Sequence, residues 1–271
     1  MTAGSPVIRV HRPAPGITTI TLSRPDVLNA MNARLVADLS AALADVAADR
    51  ECRVVVLTGE GRAFCAGLDL NGYDDGDRVA RSGAALATLD RQREIAGLAE
   101  QLHRLPQPVI AAVNGAAAGG GLALVCASDI RIAAESAVFA VSFIRAGYSA
   151  CDIGVSWLLP RIVGAGRAHE LMLTGRRFAA AEAEEIGLLV DVVPDDQLWD
   201  RALAKAQEIL LNPPASVELT KQGMWIALET PSFSAAVEFE NRQQVITALT
   251  EDAREATDAF LAKRPPVYRR R

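Results

Sequence analysis

Between residues 7 and 25 the chain reads "VIRVHRPAPGITTITLSRP", where Ile20 and Leu22 alternate with Thr19 and Thr21 after a Pro/Gly turn. This pattern predicts a β-hairpin. In "NARLVADLSAALADVAADR" (32–50), Leu35, Leu39, Ala42, Leu43 and Val46 share one helical face, with Arg34, Asp38 and Asp45 elsewhere. "CRVVVLTG" (52–59) is an unbroken apolar run ended by glycine, the signature of a strand buried on both faces. A polar, glycine-containing segment (71–83), a helix over about 84–104 and a second buried strand, "QPVIAAVNG" (107–115), repeat the theme. Strand, helix, strand, helix predicts right-handed crossovers and a largely parallel sheet.

After Gly154 the period becomes helical. "AGRAHELMLTG", "AAAEAEEIG", "DQLWDRALAKAQEILLN", "PASVELTKQGMWIALE" and "FSAAVEFENRQQVITALT" all repeat near 3.6 residues, with one short strand expected at 189–194. The pattern divides the chain into a core over 1–199 and a C-terminal helical region over 200–271. No internal repeat or low-complexity segment is evident.

Half the residues are apolar and 23% are charged, as in ordinary folded proteins. A formal charge of -5 offers no broad basic field for nucleic acid, and the closing "RRR" (269–271) reads as a solvated tail. No signal-peptide pattern opens the chain, and no apolar run is long enough to span a membrane. Cys52, Cys65, Cys126 and Cys151 lack paired metal spacing and suit free thiols in the cytoplasm.

"GEGRAFCAGLDL" (59–70) and "NGAAAGGGLAL" (114–124) share a layout of buried strand, glycine turn, and helical or turn geometry. Such turns leave backbone N–H groups without internal partners. Two of them directed into one cleft would stabilise an oxyanion. Close helix-on-strand packing explains the same glycines equally well. A phosphate loop does not, since no Lys-Ser/Thr follows Gly121.

These stretches, with "RPDVLNAMN" (24–32), "SDIRIAAESAVF" (128–139), "LPRIVGAGRAHELMLTGRRFAAAEAEEIGLLVDVV" (159–193) and "TEDAREATDAFLAKRPP" (250–266), resemble the crotonase superfamily of enoyl-CoA hydratases and isomerases. The resemblance implies an α/β fold: a ClpP-like spiral of ββα units with a C-terminal helical region used for trimerisation. It also implies a homotrimer or dimer of trimers, and an acyl-CoA or enoyl-CoA thioester as substrate, so that coenzyme A enters with the substrate and no separate cofactor or metal is needed. The oxyanion N–H groups carry over to Leu68 and Gly120. Arg24, Leu28, Ala30, Asp69 and Leu70 fall where the family meets coenzyme A, and Asp69 and Asp129 match acidic positions suited to structural hydrogen bonding.

The resemblance breaks at the acids. Hydratases of the family use two glutamates; here the first position is Ala123 and the second is Phe143, or Ile144 with a shifted gap. Neither alternative moves a proton, so two-glutamate hydration is not expected. Asp152, in "AGYSACDIGVSW", resembles the aspartate used by dienoyl-CoA isomerases as acid/base and by chlorobenzoyl-CoA dehalogenases as nucleophile. Its carboxylate would also serve as a cap for the helix beginning near Gly154. Three functions remain open: a hydratase/isomerase-type reaction through Asp152, a non-catalytic acyl-CoA binding protein, and a hydrolase with Asp152 as nucleophile. Tyr148, Ser149, Asp90 and Glu94 are further candidates for the cleft; His103 and His169 read as structural or surface residues.

Overall fold

The computed structural model describes residues 5–70, 72–73 and 76–271. The chain opens with β1 (Ile8–Ala14) and β2 (Ile17–Leu22), then α1 (Ala33–Ala48), β3 (Val54–Gly59), β4 (Ala63–Cys65) and α2 (Gly76–Arg104). It continues through β5 (Val109–Val113), β6 (Ala116–Ala118), α3 (Gly120–Ala127), β7 (Ile130–Ala134) and β8 (Val138–Ala140). Next come α4 (Val155–Val163), α5 (Ala165–Thr174), β9 (Arg177–Ala179), α6 (Ala180–Glu185) and β10 (Asp191–Val193). The helices α7 (Leu198–Leu210), α8 (Pro214–Glu229), α9 (Phe233–Ala248) and α10 (Glu251–Leu261) complete it.

The larger sheet has the order β1-β2-β3-β5-β7-β10, antiparallel only in the β1–β2 hairpin. Its central strands β3 and β5 are buried apolar runs because both faces are covered, whereas the edge strand β1 is largely exposed. Val55, Leu57, Val109, Ala111 and Val113 point into a core shared with α1, α2 and α3, while Val54, Val56, Ile110, Ala112 and Ile132 point into a second core. Leu198, Ala202 and Ala206, spaced by four, close that second core with one face of α7. Thus α7, at the expected boundary near 200, packs on the sheet, and the helices that leave it begin with α8. The N-terminal end of α1 is fixed by the Asn32 side chain, which accepts a hydrogen bond from Leu35 N at 2.9 Å.

A second sheet, β4-β6-β8-β9, is built from three-residue strands that periodicity does not reveal. Helix α2 starts earlier than the expected 84, although Gly83 interrupts it with a non-helical backbone. Of the preceding polar segment, residues 71, 74 and 75 lie outside the described residues. The "RRR" terminus is not the freely solvated tail expected. The Arg269 and Arg270 N–H groups donate to the buried Asp252 carboxylate at 2.7 and 2.8 Å, and the Arg270 guanidinium pairs with Glu218. Among the described residues, no helix is long and apolar enough to cross a membrane.

Candidate functional site

Three parallel strands of the small sheet deliver the site. Cys65 on β4 is in register with Ala117 on β6, and Ala118 with Ala140 on β8. The turns leaving their C-terminal ends therefore emerge side by side, carrying Gly67-Leu68, Gly119-Gly120 and Phe143. Gly67 has φ 96°, and a β-carbon there would approach Ala118 O to 2.8 Å and Gly120 N to 3.4 Å. Close approach of the two turns thus requires glycine. A β-carbon on Gly121 would collide with the Cys65 carbonyl, so this glycine lets α3 start directly against β4. Of the two readings of these glycines, close packing is the one these contacts bear out.

Leu68 is bridged to Met31: Met31 N donates to Gly67 O at 2.8 Å and Asp69 N to Met31 O at 2.9 Å. That pattern uses the Gly67 carbonyl and the Asp69 N–H on either side and does not engage the Leu68 N–H. Gly120 is the first residue of α3, where no intrahelical acceptor exists. Neither N–H has an acceptor among the described residues. Met31, buried to 1%, reaches Gly120 from one side, and Ile153 Cδ1 comes within 3.2 Å of the β-carbon position of Gly120 from another. Phe143 packs on Gly119, its ring edge 3.5 Å from that residue's β-carbon position. Ala123 lies one turn into α3, fully buried, its N–H donating to Gly119 O. Apolar side chains therefore stand at the two positions that the resemblance assigns to glutamates.

Asp152 immediately precedes Ile153. Its Oδ1 accepts from Ile153 N at 2.8 Å and from the Gln92 side-chain amide of α2. The expected helix cap is not what the structure shows. Gly154 is the cap of α4 and makes no side-chain cap bond, and it is the Asp152 backbone carbonyl that accepts the Val155 N–H. The carboxylate is thus left for other work. Ile153 sits at φ 45°, a left-handed conformation that is costly for a β-branched residue and concentrates at functional sites.

The coenzyme A candidates cluster on the other side of Leu68. Both terminal nitrogens of Arg24 donate to Asp69 Oδ2 at 3.0 Å, and Arg24 also donates to the Ala30 carbonyl. Leu28, at φ 55°, accepts from Ala66 N at 3.0 Å. Arg24 and Asp69 thereby stitch the 24–31 segment to the 66–70 turn, while Leu70 is 75% exposed at its end.

Several candidates stay apart. Asp90 pairs with Arg93 and Glu94 with Arg78 on the surface. Gln92, between them, is the residue that reaches the site; helical phase distinguishes it, since it stands one turn before the buried Ile95. Tyr148, Ser149 and His169 are exposed. Cys65 and Cys126 are buried, which pushes their thiols up to about 12 and removes nucleophilic character. Asp129 is structural: it accepts from Val109 N at 2.8 Å and pairs with the buried Lys221 at 2.7 Å. A groove of about 740 Å³ runs between α2, α4 and α8, lined by His103, Trp157, Lys221 and Trp225. Of the 152–154 loop, Gly154 alone lines it. Burial holds His103 below its ordinary value, against the opposing pull of Glu229.

Residues 13–271 match the sequence model of the enoyl-CoA hydratase/isomerase family. The chain is 41% identical to the probable enoyl-CoA hydratase EchA12 of Mycobacterium tuberculosis H37Rv, over 97% of this chain and 92% of the relative. It is 39% identical to 1,2-epoxyphenylacetyl-CoA isomerase of Escherichia coli K12, over 93% of this chain and 95% of that one. The crystal structure of a probable enoyl-CoA hydratase/isomerase from Mycobacterium abscessus superposes with a TM-score of 0.90 at 36% identity, covering 98% of this chain and 99% of the other.

Proposed function

Since the chain belongs to the enoyl-CoA hydratase/isomerase family and has that family's crotonase fold, we propose that it isomerises an unsaturated acyl-CoA thioester with Asp152 as its single acid/base. The carboxylate takes a proton from the carbon beside the thioester carbonyl. Negative charge then moves to the carbonyl oxygen, under the Leu68 and Gly120 N–H groups, and the proton returns to the far carbon of the original double bond, which thereby moves next to the carbonyl. No water is added or lost. Each donor of this type contributes about 3 kcal/mol in measured systems.

One observation carries this reading: Asp152 is fixed on the turn whose next residue, Ile153, comes within 3.2 Å of the β-carbon position of Gly120, while Ala123 and Phe143, where the resemblance places glutamates, carry no acid. Hydration needs one group to activate water and another to protonate carbon, and each such group typically contributes about 100-fold or more. Isomerisation needs one carboxylate. The 39% identity to an enzyme named an isomerase supports the same choice. Arg24 and Asp69, by tying the 24–31 and 66–70 segments together, hold the Leu28, Ala30 and Leu70 backbone as the wall for coenzyme A, which enters as part of the substrate.

The test is incubation with enoyl-CoA and dienoyl-CoA thioesters, with products identified by mass and ultraviolet spectrum. A shifted double bond at unchanged mass is expected, with little or no hydration of crotonyl-CoA. In Asp152→Asn, turnover should vanish while acyl-CoA affinity stays within a few fold, because the binding groups are backbone. Rapid hydration unaffected by Asp152→Asn would refute the assignment. Binding without turnover would instead support a non-catalytic acyl-CoA protein, and release of free coenzyme A a hydrolase.

A further inference from the structure

We infer that Gln92 is the positioning residue of the acid/base: its amide pins Asp152 Oδ1, so that Oδ2 is the oxygen that moves the proton. The inference rests on the reading of Asp152 given above. Both hydrogen bonds to the carboxylate, from Gln92 Nε2 and from Ile153 N, fall on Oδ1. Oδ2 has no partner among the described residues. Two donors from different elements, one side chain from α2 and one backbone N–H from the loop, define the rotation of the carboxylate plane. A single donor would leave it free to swing.

Each anchor is itself held. Gln92 precedes the buried stripe of Ile95, Leu98, Ala99 and Leu102, which seats α2 on the core. Its charged neighbours are engaged elsewhere, Asp90 with Arg93 and Glu94 with Arg78, so neither competes for the space beside Asp152. On the other side, the left-handed backbone at Ile153 turns that N–H back onto the preceding carboxylate, and its side chain is 6% exposed. The choice of a neutral amide also has a chemical consequence. A guanidinium or ammonium here would orient the carboxylate equally well but would strongly favour its ionised form and weaken it as a base. An amide orients with a smaller loss of basicity.

The test compares Gln92→Ala, Gln92→Glu and, as a surface control on the same helix, Glu94→Gln. Gln92 is exposed and alanine favours helix, so the variants should fold. Isomerisation by Gln92→Ala is expected to lose about tenfold or more in kcat, the scale of a hydrogen bond to a charged group, with KM within about threefold. The acidic limb of its pH–rate profile should move to higher pH, a change that a merely structural role would not cause. Gln92→Glu, which places a second carboxylate against Asp152, should be at least as impaired at pH 8. Glu94→Gln should match the wild type. Unchanged kcat and pH profile in Gln92→Ala would overturn the inference. Crystal structures give a readout independent of turnover. Asp152 in one rotamer on Gln92 in the wild type, and spread over several in Gln92→Ala, supports the positioning role even if no enoyl-CoA is converted. An identical Asp152 rotamer in both would refute it.

Discussion

Gly120 and Gly121 are adjacent yet face different obstacles. A β-carbon on Gly121 would strike the Cys65 carbonyl, which is backbone within β4 and cannot move alone, whereas on Gly120 it would meet the Met31 methyl, the far end of a flexible side chain. Gly121→Ala is therefore expected to destabilise by about 1–3 kcal/mol, as overpacking does, and Gly120→Ala by less. Urea denaturation of the two variants reads the order directly, and the reverse order would contradict it. Residue identity made the two glycine turns after buried strands legible. Leu68 and Gly120 as the donors within them, and Ala123 and Phe143 as the glutamate positions, were implied by the resemblance to the crotonase superfamily. Gln92 did not follow. Judged by charge, Asp90 and Glu94 were the natural candidates on α2, but a helix assigns direction by phase, and phase turns both toward arginines on the surface. Asp152 was legible as an acid, but not its hydrogen bonding, because the capping expectation depended on where α4 begins and on the backbone of Ile153.

Among elements, α8 depends on one buried pair. Lys221, 5% exposed, bonds to Asp129 and donates to the Leu102 and Gln107 carbonyls at 3.1 and 3.0 Å, closing the C-terminal end of α2. Burial pulls the ammonium below its ordinary value and Asp129 opposes that pull. Trp225, one turn on, donates to the same carboxylate at 3.3 Å and packs on His103. It docks the helix inward. Lys221→Met would leave Asp129 buried with its charge uncompensated. The expected loss is about 3–5 kcal/mol, measured as a fall in melting temperature, and a change below about 1 kcal/mol would show that this pair does not dock α8. Long elements were legible because burial marks several consecutive turns or residues: β3 and β5 as unbroken apolar runs, α1 and α7 by their helical period. The strands β4, β6, β8 and β9 span three residues each, too few to show alternation, and their pairing depends on contacts far away in sequence. The site rests on these strands, so its parts were visible before its geometry was.

At the scale of the molecule, α9 poses the remaining physical problem. Its 16 residues bury none of their number against the rest of the chain. Phe233 is 84% exposed, Leu249 74%, Phe260 83% and Leu261 73%, an apolar surface on consecutive helices. Helices of this length are marginal without tertiary packing, and exposed apolar surface of this kind marks an interface. The arrangement is nonetheless braced. Ser232 and Thr250 cap α9 and α10, the C-terminal tail is tied to Asp252, and Arg270 reaches Glu218 on α8. A braced helical unit with an uncovered apolar face fits association better than unfolding, and copies of the same chain are the partner always available at the right stoichiometry. The resemblance to the crotonase superfamily makes the expected assembly a homotrimer or a pair of trimers, to be read by light scattering at micromolar concentration as a particle about three or six times the 28.8 kDa chain. Replacing Phe260 and Leu261 with aspartate should shift that mass downward and lower the melting temperature together, since an obligate interface contributes to the stability of each protomer. A wild-type particle of 28.8 kDa alone would contradict the expectation and leave α9 stable without a partner.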